Sequence, residues 1–119
     1  MPSQNEHIRK AIHNKSFFNA FELNTTPYVD WLVTILFYTS LHYVDSKLAQ
    51  LNFHPDSHGQ RRKYIWQTDL KHIAEEYRLL ENQCRNVRYF DTSDCTHMRQ
   101  RLIDELIPAF EKIKSEVTR

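Results

Sequence analysis

The stretch VDWLVTILFYTSLHYVDSKLAQL, residues 29–51, decides the fold class. Val29, Val33, Phe37, Leu41, Val44, Leu48 and Leu51 recur at steps of four, four, four, three, four and three. A strand would alternate every second residue; this spacing is that of a helix. Trp31, Leu32, Ile35, Leu36, Tyr38 and Tyr43 add apolar and aromatic side chains on the other faces. A helix apolar on so many sides belongs at the centre of a bundle or in an interface between copies. Thr26-Pro27 ahead of it suits an N-cap followed by proline in the first turn, where the missing N–H costs nothing.

Outward from this segment the same period returns. On the N-terminal side, Ser3 and Glu6 have the spacing of a capping box, opening a helix to about Phe21 with Ile8, Ala11, Ile12, Phe18 and Phe21 as its apolar side. On the C-terminal side, HPDSHG (residues 54–59) holds the only glycine and an N-cap candidate, Ser57. Beyond it Trp66, Leu70, Ile73, Tyr77, Leu80, Cys84 and Val87 alternate four and three. One helix of roughly 30 residues, about 45 Å long, is expected there. Asp91-Thr92-Ser93-Asp94 interrupts the pattern and offers acidic caps to a last helix striped by Cys95, Met98, Leu102, Leu106, Phe110, Ile113 and Val117. Pro108 lies inside that stripe and should kink it. Four helices joined by short connections predict a single all-α domain over residues 1–119, an antiparallel up-and-down four-helix bundle.

Composition narrows the function. The chain has 119 residues, one Gly and four Pro, leaving little room for long loops. Sixteen Lys/Arg against fifteen Asp/Glu give a net charge of +1, without the basic excess that duplex nucleic acid attracts. There is no apolar leader and no membrane-length apolar run, so a cytoplasmic protein without a membrane role is expected. With one glycine no phosphate-cradling glycine loop is possible, and GxSxG and HExxH are absent. Two cysteines, Cys84 and Cys95, make no disulfide framework. His54 and His58 are separated by Pro55 and Cys84 falls on a core stripe, so neither a metal nor another cofactor is expected.

Three polar sets remain. Tyr38, His42 and Asp45 share one face of the second helix, where a bundle imidazole would donate to Asp45 or to a backbone group. His58 and Arg61 stand one turn apart at the opening of the third helix, where a solvated helix start is the plain expectation. Arg85, Arg88 and Tyr89 close that helix, and His97 lies early in the fourth. On an unbroken helix Arg61 and Arg88 would be about 40 Å apart, so one small ligand could not reach both. A chain reversal near residue 91 instead puts Arg85 almost level with His97.

These residues carry a resemblance. TILFYTSLHYVDSKLAQ (residues 34–50), HPDSHGQR (54–61) and YRLLENQCRNVRY (77–89) resemble HEPN-like domains, in particular the small stand-alone bacterial variety. The likeness spans about residues 27–90 and rests on the order of Tyr38, His42, Asp45, His58, Arg61 and Arg88-Tyr89. It implies a four- or five-helix antiparallel bundle, commonly a homodimer. Many HEPN domains are metal-independent ribonucleases of toxin–antitoxin, abortive-infection or CRISPR systems; others are inactive partners of nucleotidyltransferases. The ribonuclease motif is Arg, a polar residue, then His after four to six intervening positions. Arg85-Asn86 fits its opening, but Phe90, Asp91 and Thr92 occupy the places of the histidine. The expectation is therefore a non-catalytic module binding a nucleotide, RNA or a protein partner such as a nucleotidyltransferase or antitoxin. The alternative is an endoribonuclease in which His97 moves the proton while Arg85 and Arg88 stabilise the phosphorane.

Overall fold

The computed structural model describes residues 1–89, 91 and 95–119. It is all-helical, with no strand among the described residues, and measures 43 × 24 × 23 Å. Helix α1 (Gln4–Asn19) opens on the expected capping box. Glu6 N–H donates to Ser3 Oγ at 3.2 Å, and Ser3 N–H to Glu6 Oε1 at 3.3 Å. Its core contribution is narrow: Ala11 and Phe18 are buried, Ile8 packs from the side, and Ile12 points to solvent. The helix also stops before Phe21.

Helix α2 (Val29–Gln50) is the central element, packed against α1 and against the later helices, and thirteen of its 22 residues are buried. Burial of its hydroxyls is offset locally. Thr39, Ser40 and Ser46 donate back to the carbonyls of Ile35, Leu36 and Tyr43 at 2.8, 2.9 and 2.6 Å, so none is left unpaired in the core. The helix starts later than Thr26-Pro27 suggested. Thr26 Oγ1 instead accepts from Tyr28 N–H at 3.2 Å, and Tyr28 becomes the cap residue. At the other end Asn52 takes a left-handed conformation (φ 67°). Asn52 N–H then reaches Ala49 O at 3.0 Å and Phe53 N–H reaches Leu48 O at 2.7 Å, a Schellman ending.

The long third helix does not exist as one piece. Helix α3 (His58–Gln67) is capped by Ser57 Oγ, as expected, and ends at Thr68, whose backbone is extended (φ −122°, ψ 178°). Thr68 Oγ1 accepts from Leu70 N–H and starts a 3-10 turn, Asp69–Ile73, which leads into α4 (Ala74–Asn86) and a closing 3-10 turn, Val87–Tyr89. Arg62 on α3 meets Glu81 on α4 at 2.8 Å. On a continuous helix the two would stand about 28 Å apart; the chain doubles back. The stripe from Leu70 to Val87 is buried as read, while Trp66 at its head is 63% exposed and Ile65 holds the inner position.

Helix α5 (Thr96–Arg101) follows Cys95 without a side-chain cap. Of the stretch Asp91-Thr92-Ser93-Asp94 expected to cap it, Thr92, Ser93 and Asp94 lie outside the described residues, as does Phe90. A π-helical turn, Leu102–Leu106, joins α5 to α6 (Ile107–Val117), and Ile107 N–H donates to Leu102 O, five residues back. Pro108, which brings no N–H, follows directly on this widened turn. Leu102, Leu106, Phe110 and Ile113 still reach the core. Arg99 ties α5 to the connection after α1, donating to Leu23 O at 2.6 Å and Thr26 O at 2.9 Å. Among the described residues no helix is long and apolar enough to cross a membrane.

Candidate functional site

Two features stand out, a buried ionic network and an open groove. The network begins with Asp45 on α2 and Arg61 on α3. Arg61 Nε and Nη2 donate to the two Asp45 oxygens at 2.7 and 3.1 Å, a bidentate pair in which both residues are buried. The connection over residues 51–57 makes this possible, because it returns the start of α3 to the end of α2. Burial opposes the Arg61 charge, yet the hydrogen bonds and charge of Asp45 outweigh it and hold its pKa above the ordinary value. The solvated helix start expected at Arg61 is thus replaced by a core ion pair.

His58, half exposed, extends the network. Its Nδ1 lies 3.3 Å from Arg61 Nη1 and 3.8 Å from Glu81 Oε2, and buried Glu81 is also bridged by Arg62. Tyr77 is 1% exposed beneath them, and its hydroxyl has no hydrogen-bond partner. Burial raises its pKa well above the usual phenol value, so it stays neutral. The network is a scaffold: its charges face one another and the guanidinium of Arg61 has no free edge for a ligand.

His42 departs from its expected partner. Asp45 is taken by Arg61, and the His42 ring instead faces His7 of α1, with Nδ1 atoms 3.4 Å apart and ring centroids 5.7 Å apart. Both imidazoles are partly buried. Desolvation is the largest cause that lowers each pKa, and for His42 the neighbouring His7 lowers it further.

The groove runs between α2 and the end of α4, with a volume of about 370 Å³. Asp30, Trp31, Thr34 and Tyr38 form one wall; Cys84, Val87 and Arg88 form the other. Tyr38 is held edge-on against Phe37 (5.1 Å between centroids), while Trp31 is 60% exposed. Thr34 Oγ1 donates to Asp30 O at 3.1 Å. Burial raises the Cys84 thiol pKa, so this wall carries a neutral thiol rather than a nucleophilic thiolate. Arg88 makes no hydrogen bond or ion pair among the described residues, and its charge is free for an anion.

The three residues proposed for catalysis do not share one depression. Arg88 lines the groove, and Arg85 is exposed on α4. His97 lies in a separate shallow depression with Gln100, Arg101, Asp104 and Glu105. Tyr89 is 89% exposed beside the groove end. Trp31, expected at the bundle centre or in an interface between copies, is exposed on this chain, and Arg61, expected at a solvated helix start, is buried. Among the described residues no group of three or more His, Cys, Asp or Glu side chains could hold a metal ion. No family model, no curated protein and no solved structure matches this chain.

Proposed function

We propose that the chain is a HEPN-like up-and-down antiparallel bundle acting as a non-catalytic binding module for a nucleotide or RNA, in a prokaryotic defence, stress or toxin–antitoxin setting. One observation carries this reading: Arg88 shares a groove with Trp31 and Tyr38, whereas His97 lies in a different depression beside Asp104 and Glu105. The groove offers an anion clamp and aromatic surfaces without an acid–base partner. A base stacking on an aromatic ring contributes about 1–3 kcal/mol. Arg88 can fork two N–H groups onto a phosphate, and Asp30 can accept from a ribose hydroxyl or a base amino group.

Binding is read from Trp31 fluorescence in a Trp66→Phe background, titrated with a nucleoside monophosphate and a short single-stranded RNA. Arg88→Ala should weaken binding about 10- to 150-fold, the loss of a charge-assisted contact of roughly 1.5–3 kcal/mol. Arg88→Lys should also weaken it, since a lysine cannot form the fork. Incubation of the wild type with RNA in EDTA should leave the RNA intact. Cleavage abolished by Arg85→Ala and by His97→Ala would establish the endoribonuclease instead. Absence of both binding and cleavage would remove the nucleotide reading.

The module acts as a cytoplasmic homodimer. Phe17 and Tyr28, each 55% exposed, line with Phe21 an apolar depression that meets the groove at Trp31, a surface of the kind buried between chains. Light scattering after size exclusion should give about twice 14.4 kDa. A monomer at every concentration would leave this patch to a different protein, such as a nucleotidyltransferase or an antitoxin.

A further inference from the structure

We propose that the His7–His42 contact is an acid-sensitive latch that holds the N-terminal half of α1 against α2. Two Nδ1 atoms at 3.4 Å need one N–H and one lone pair between them. A neutral or singly protonated pair can supply both. A doubly protonated pair cannot, because it aims two N–H groups and two charges at each other.

The surroundings decide how readily the second proton enters. From α1, Glu6 favours protonation of His7, and Lys10 opposes that of His42. From α2, Asp45 favours protonation of both. From α3, Arg61 opposes both, and His54 in the connection opposes His7. Asp45 is already committed to Arg61, which weakens its pull. Desolvation is the largest opposing cause for both, and it holds both imidazoles below the ordinary histidine value. A base depressed in the docked state and ordinary in the undocked state destabilises docking as pH falls through about 6.5, and the loss is complete below the docked pKa values.

Little else holds this end of α1. Gln4, Asn5, Glu6, Arg9 and Lys10 are exposed, and the apolar hold comes from Ile8 and Ala11. Phe18, at the far end, is buried independently. Mild acid should therefore loosen the first turns while leaving the rest packed, and let water reach the Asp45–Arg61 pair that His7 overlies electrostatically.

The test is amide hydrogen exchange on the full chain at pH 7.5 and 5.5, corrected for intrinsic rates, with α4 amides as the internal reference. Protection at residues 8–12 should fall about threefold or more at the lower pH relative to α4. An unchanged ratio would overturn the latch, and so would a drop that persists in both His7→Gln and His42→Gln. A second readout stays decisive even if either variant frays α1. In an NMR titration, His42 should titrate at higher pH in His7→Gln than in the wild type, because part of the burial and a neighbouring charge are gone. An unmoved His42 titration would refute the coupling on which the latch depends.

Discussion

Asp45→Ala is expected to lower the free energy of unfolding by about 3–5 kcal/mol, measured as a shift of the urea midpoint at constant m-value. The loss arises from what remains. Arg61 is 9% exposed, and without Asp45 its Nε and Nη2 groups have no carboxylate to meet inside the bundle. Arg61→Ala should cost a similar amount, by stranding Asp45. The double replacement Asp45→Leu with Arg61→Met should be far milder than the sum, since neither buried charge is then left alone. A loss below about 1 kcal/mol for Asp45→Ala would mean that water solvates the site and that the pair is not structural.

That ion pair also marks where sequence reasoning stopped. Periodicity identified α2, the stripe of the last helix and the buried run from Leu70 to Val87, because each is a local pattern along one face. The break at Thr68 was hidden by the same pattern: Trp66 precedes Leu70 by four residues and lengthens the stripe by one false step. Thr68-Asp69 was the available signal. A side chain that prefers to cap, followed by an acidic first turn, is a helix start, and it lay inside a run read as continuous. Asn52 was a second unused signal, as a residue tolerant of left-handed backbone just past the end of α2.

The polar sets were legible as residues and not as partnerships. Tyr38, His42 and Asp45 do share a helix, but the first lines the groove, the second meets His7 and the third meets Arg61. These partners lie 35 and 16 residues away for His42 and Asp45, and only tertiary packing brings them near. Asp45 and His58 occupy the guanidinium of Arg61, whereas Arg88 lines the groove.

Phe110→Ala should cost about 3–5 kcal/mol, the range for truncating a fully buried aromatic side chain. Phe110 is wholly buried on α6, with the Tyr43 ring of α2 at 6.1 Å and the Lys15 ammonium of α1 at 5.5 Å from its centroid. Three helices thus close on one ring, and none can move to refill the space without leaving another partner. The informative comparison is Phe17→Ala, on a ring of the same size that is 55% exposed. If that patch is free, this change should stay within about 0.5 kcal/mol. If the patch joins two chains, Phe17→Ala should lower the mass seen by light scattering while barely changing the unfolding of the monomer. Phe110→Ala should do the reverse, lowering the urea midpoint at every protein concentration. Equal effects of the two changes on stability would mean that the core does not close on Phe110 as described.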